Sequence, residues 1–226
     1  LLLLVVAVAA RAEPGRRARA AAAHLGLAAG IALLFALPFL QANDPTLGMA
    51  ELARHQGWLA PSRFFGRVLD AVTGEALGIV ARVAFALAFV LALFLIARAL
   101  ARRAPSISGE AQGAAWGWSL LFLMLLGPVL LPWYLAWTLP LAWLLPKVPR
   151  LTVVWIGTLL TLSQWATEPS RYPRAYDANV LFGHYVLTPV AVAVLAWLVL
   201  DFVRRLRAGT PLEEEANEVA APARHR

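Results

Sequence analysis

Two stretches of the chain concentrate side chains able to bind an anion or a sugar. The first, residues 41–76, carries Arg63, Arg67 and Asp70; the second, residues 167–183, reads TEPSRYPRAYDANVLFG and supplies Arg171, Tyr172, Arg174, Tyr176, Asp177 and Asn179, with His184 directly after it. A guanidinium can hold two phosphate oxygens at once, so Arg63, Arg67, Arg171 and Arg174 are candidate phosphate ligands, with Arg171 and Arg174 favoured for their place in a polar loop beside two span ends. Tyr, Asp, Asn and His carry the donors and acceptors that sugar hydroxyls need, which makes Tyr172, Asp177 and His184 candidate sugar contacts. Simpler roles compete with each. Arg67 and Asp70 have the i,i+3 spacing of a helical ion pair. Asp177 can stabilise a turn. A histidine at the start of an apolar run, like His184, is often an interfacial hydrogen bonder, and His55 is similar. Arg82 lies a turn or two into an apolar run, where its long stem can snorkel to the surface. With no cysteine, disulfides, thiolate metal sites and a cysteine nucleophile are excluded. No metal site or cofactor is assigned, and the sequence leaves a divalent-metal requirement open.

The elements that position these residues follow from composition. Hydrophobic residues make up 61% of the chain and charged ones 15%, with a mean hydropathy of +0.68. Soluble domains carry ~25% charged residues, so an ordinary soluble domain is excluded, as is disorder over most of the chain. The reading is an all-α polytopic membrane bundle over residues 1–208. Its opening, LLLLVVAVAA, begins on Leu1 at full hydrophobicity and reads as a span cut by the start of a fragment. Six further spans are expected at about 21–40, 77–100, 114–132, 134–146, 151–166 and 184–203. The formal charge of +7 sits beside the apolar runs, which argues for membrane flanks rather than nucleic acid. Twelve Lys and Arg fall in one set of alternate loops and six in the other. The richer set is expected in the cytoplasm of a bacterial inner membrane, with segments 41–76 and 167–183 outside. Trp133 and Trp165 then fall at the outer interface, and Trp116, Trp118, Trp143 and Trp155 near the inner one.

Within 41–76, Phe64, Phe65, Val68, Leu69 and Val72 recur at helical spacing opposite Arg63, Arg67 and Asp70, and Pro61 suits a first turn. This predicts a short amphipathic helix in the membrane surface. Residues 167–183 are expected to form turns rather than a helix. Residues 209–226, charged and rich in small side chains, are expected to be a disordered cytoplasmic tail.

The most distinctive run is GPVLLPWYLAWTLPLAWLLP, residues 127–146. It predicts a helix end, a sharp turn at Pro132 and an immediate, kinked return through Pro140. Trp133 and Tyr134 stand at the turn as interfacial anchors or as contacts to a sugar or acceptor. Gly127-Pro128, then Pro132-Trp133-Tyr134-Leu135 with Trp137, resembles the late membrane hairpin of polyprenol-phosphate-mannose-dependent α-1,6-mannosyltransferases. These are membrane enzymes of the GT-C glycosyltransferase superfamily, of actinobacterial cell-envelope synthesis. Gly57-Trp58, Pro61-Ser62-Arg63 and the 64–72 run resemble the family's outward loop before a long span. The resemblance covers roughly residues 45–205. It implies transfer of a sugar, mannose by family, from a polyprenyl-phosphate donor to a glycan or glycolipid acceptor outside the membrane. It also implies that the catalytic carboxylate lies in an early outward loop matched by no motif of this chain, so no catalytic residue is assigned. The alternative is a transporter or flippase of lipid-linked precursors, which would favour ionisable residues at mid-membrane and paired broken helices. A third reading, an assembly subunit, would need no polar outward cluster.

Overall fold

The computed structural model describes residues 12–37, 57, 59–74, 77–103, 107–128, 134–163 and 171–213. Among them every regular element is helical. A 3₁₀ turn, Pro14–Arg16, leads into α1 (Arg17–Ala36); α2 (Pro61–Thr73), α3 (Gly78–Ala101), α4 (Gly109–Leu126), α5 (Tyr134–Ala142), α6 (Lys147–Ser163) and α7 (Pro173–Phe182) follow. A π-turn, Gly183–Leu187, joins α7 to α8 (Thr188–Ala208) without a break.

Two of these helices are long and apolar enough to cross a membrane: α3, with 24 residues, and the continuous α7–α8 rod of 36 residues. Of the six spans expected, with 134–146 the short one, only these two form helices of that length and hydropathy among the described residues. The segment 134–146 yields a helix of only 9 residues, which at ~1.5 Å per residue cannot cross a bilayer unaided. The run 1–10 lies outside the described residues.

α4 is the centre of the packing. Trp118, Leu121, Phe122 and Leu125 are fully enclosed. Trp118, Phe122 and Phe202 of α8 form a three-ring cluster with centroids 5.0–5.9 Å apart. Such contacts add about 0.5–1.5 kcal/mol per pair beyond burial. On another face of α4, Gly113 and Gly117 let the chain after α5 approach closely. A Cβ on Gly117 would meet Leu145 carbons at 3.0–3.1 Å. Small residues one turn apart serve the same purpose between membrane helices generally. Buried hydroxyls are satisfied locally: Ser119 donates to the Ala115 carbonyl at 2.8 Å and Thr152 to that of Val148 at 3.0 Å.

Three expectations are corrected by tertiary contacts. Trp118, expected at a membrane interface, is buried, and its Nε1 donates to the Leu212 carbonyl at 3.0 Å. Segment 167–183, expected as turns, is helical from Pro173. Proline fits the first turn, and buried Asn179 donates through Nδ2 to the Ser163 carbonyl at 2.8 Å, tying α7 to the end of α6. Residues 209–213, at the start of the expected tail, are docked. Gly209 takes a positive φ of 67° after α8. Leu212 is buried, Arg205 donates to the Pro211 carbonyl at 3.2 Å, and Glu213 pairs with Arg103. Residues 214–226 lie outside the described part.

α2 crosses the start of α3 where glycine faces glycine. A Cβ on Gly66 would lie 3.2 Å from the Gly78 Cα, a backbone atom that cannot swing aside. Gly66→Val is therefore expected to destabilise the protein by about 1–3 kcal/mol through overpacking. Gly26→Ala, where nothing lies within 4 Å of the new Cβ, should hold or slightly raise the melting temperature. Thermal unfolding in detergent checks both.

Candidate functional site

The site is built where α2 packs on α3 and on α8, the helix that continues from the π-turn. Pro61 starts α2, and Gly74, in the left-handed region at φ 70°, ends it with its N–H on the Asp70 carbonyl. Residues 62, 63, 66, 67 and 70 recur at helical spacing, so α2 presents Ser62, Arg63, Arg67 and Asp70 as one polar stripe around the Gly66 contact. The apolar side is left open: Phe65, Val68 and Val72 are exposed, while Phe65 also touches Phe85 of α3 with ring centroids 5.5 Å apart. Upstream, the Gly57 N–H donates to the Pro128 carbonyl at 3.0 Å, anchoring the approach to α2 at the far end of α4.

The π-turn supplies His184. An extra residue in a helical turn leaves carbonyls short of partners, and such turns gather at functional sites. Here the Gly183 carbonyl accepts the Thr188 backbone N–H and also its Oγ1 hydroxyl, at 2.7 Å. The half-buried His184 ring is close enough to Arg67 and Arg63 for both positive charges to act on it.

Four side-chain atoms around this junction are buried without a hydrogen-bond partner: Ser62 Oγ, Arg67 Nε, Asp70 Oδ1 and His184 Nε2. Buried polar atoms are normally paired with protein or water, so four of them at one junction mark a place where water or a polar ligand can bond. The set contains two groups that donate to an anion and a hydroxyl and a carboxylate that bond to hydroxyls. The i,i+3 pair expected between Arg67 and Asp70 does not form among the described residues. Asp70 instead turns its carboxylate toward Gly78, with Oδ2 3.7 Å from where a Cβ would stand. That places its charge at the N-terminus of α3, where the helix dipole favours it.

Of the residues expected from sequence, Arg63 and His184 are brought together here. Arg171, Tyr172, Arg174 and Asp177 are all exposed, and the Arg171 guanidinium stacks over the Tyr172 ring at 5.4 Å. Tyr134 is half-buried on α5, stacked on Trp137 with centroids 5.1 Å apart. Trp133 lies outside the described residues. Arg67, a phosphate candidate from sequence, and Asp70, expected only as its ion-pair partner, belong to the cluster with Ser62, to which sequence reasoning gave no side-chain role. The one signal for them was the shared polar stripe of α2. Among the described residues no three His, Asp or Glu side chains gather to hold a metal ion.

No known family, curated protein or solved structure matches the chain.

A buried guanidinium lacking a full set of partners is costly, so Arg67→Met should leave the melting temperature unchanged or raised. A fall of several degrees would show that Arg67 is structural and remove it from the site.

Proposed function

We propose that the chain is part of a membrane glycosyltransferase that takes a sugar, mannose by resemblance, from a polyprenyl-phosphate donor to a cell-envelope glycan or glycolipid outside the membrane. The observation that carries the proposal is the α2 junction, where Ser62, Arg67, Asp70 and His184 each bury a polar atom without a hydrogen-bond partner and the Arg63 and Arg67 charges both reach His184. A polyprenyl phosphosugar keeps its tail among acyl chains and its phosphodiester at the membrane surface. A helix with an apolar side for lipid and guanidiniums on the other side fits that depth. In the transfer, the bond from the anomeric carbon to the phosphate oxygen breaks and a hydroxyl of the acceptor takes the sugar. Charge builds on the departing phosphate, which is where Arg63 and Arg67 act. Ser62 and Asp70 suit the sugar hydroxyls. No general base is assigned to this chain.

The same reading treats the bundle as multi-pass, with the cationic α8 end in the cytoplasm of a bacterial inner membrane. Short α5 is compatible with this. Its following residues, Leu144 and Leu145, reach Gly113 and Gly117 of α4, so α5 and its turn together run back along most of α4. The described part of α3 places no charge between Arg82 and Arg98, which favours an enzyme over a transporter.

The test uses the full-length protein in vesicles with radiolabelled polyprenyl phosphomannose. Arg63→Ala and Arg67→Ala should each raise the donor KM by about 10-fold or more, the weight of a charge-assisted hydrogen bond. Arg171→Ala and Arg174→Ala, at exposed positions, should change it by less than about 3-fold. Transfer only from other lipid-linked sugars would sink the mannose assignment, and transfer from none would sink the transferase.

A further inference from the structure

The opposite end of the bundle holds a second unassigned site. A cavity of about 140 Å³ opens between α3, α4 and the segment after α8, lined by Arg102, Arg103, Arg205, Thr210, Leu212 and Glu213 among others. Two of its three guanidiniums are neutralised: Arg205 by Asp201 at 2.9 Å, and Arg103 by Glu213. Arg102 is exposed and, among the described residues, has no ion pair. Arg102 also closes a second, open groove along α3, whose floor is Val90, Leu93, Phe94 and Ala97 and whose other cation is Arg98. Arg98 is likewise exposed and without an ion pair among the described residues. The two stand i,i+4, one turn apart on the same side of the helix.

An apolar groove, two uncompensated guanidiniums at its polar end, and a small cavity that shares Arg102 with the groove and carries Thr210 and Glu213 in its wall adjoin one another. They match the three parts of one molecule: acyl chain, phosphate and hydroxylated headgroup. We infer that this end of the protein binds an anionic glycerophospholipid. Its acyl chain lies on Val90, Phe94 and Ala97, its phosphodiester between Arg98 and Arg102, and its headgroup in the cavity beside Thr210 and Glu213. The net positive charge selects an anionic lipid over a zwitterionic one, since paired Arg103 and Arg205 contribute no excess. Glu213 Oε2, buried without a hydrogen-bond partner, gives a headgroup hydroxyl something to bond. Residues 209–213 wall the cavity, so lipid binding holds that segment against Trp118.

This inference rests on the chain being membrane-embedded, not on glycosyl transfer. Retention of the full chain in vesicles through an alkaline carbonate wash tests the embedding by itself. The site is tested by thermal unfolding of the full chain in detergent titrated with phosphatidylglycerol, phosphatidylcholine or inorganic phosphate. Phosphatidylglycerol should raise the melting temperature saturably and phosphatidylcholine should not. The double variant Arg98→Gln, Arg102→Gln should weaken half-saturation by about 10-fold or more. Arg204→Gln with Arg207→Gln, exposed at the same end but outside the cavity, should leave it unchanged. An equal effect of phosphatidylcholine, an equal loss in the control variant, or the same stabilisation by inorganic phosphate alone would each overturn the proposal.

Discussion

The contact between Gly66 and Gly78 governs the rest of the α2 end. Two backbones approach there so closely that a Cβ on Gly66 would crowd the Gly78 Cα at 3.2 Å, which constrains where α2 sits on α3. The stripe Ser62, Arg63, Arg67 and Asp70 flanks that contact and has little freedom to face elsewhere. His184 comes from the other side, 118 positions later than Gly66 in the chain, and is presented by a π-turn rather than a regular helix. The cluster therefore depends on one close approach and one irregular turn, each made without side-chain bulk: a pair of glycines in the first, Gly183 with the Thr188 hydroxyl in the second.

The bundle is polarised in how it treats charge. At the α2 end, ionisable groups are packed together with hydrogen-bonding capacity to spare. At the α8 end, Asp201 with Arg205 and Glu213 with Arg103 neutralise the inner guanidiniums, while Arg98 and Arg102 are left at the rim. Between the two ends α3 exposes Val80, Val83, Leu87, Val90, Leu91 and Phe94. An apolar strip of that length is costly in water and neutral against hydrocarbon. Both clusters thus sit at the margins of an apolar belt.

Much of the helical layout is legible in the residues themselves. The apolar runs at 77–100 and 114–132 become α3 and α4 within a few positions, and the aromatic and valine spacing after Pro61 yields α2. Those elements follow from periodicity and from Pro and Gly at their ends, which act through neighbours in sequence. Where distant partners decide, the residues mislead. Asp, Asn and two prolines argue for turns at 167–183, yet Asn179 gains a buried bond to Ser163 that only a helix can present. The small, charged residues after 208 argue for disorder, yet Trp118 needs an acceptor for its buried indole N–H and finds it at Leu212. Arg67 and Asp70 have ion-pair spacing, but Asp70 is drawn to the N-terminus of α3 instead.

The sequence by itself determined a helical, strongly apolar protein, the amphipathic character of α2, and the residue types available for phosphate and sugar. It could do so because hydropathy, helical period and proline geometry are local. Which of those residues meet was decided only by the tertiary structure. Arg67 and Arg63 come within electrostatic reach of His184 while Arg171 and Arg174 stay at the surface, because the packing of α2 on α3 and the phase of the π-turn set the directions of those side chains. Neither can be read from a single stretch of chain.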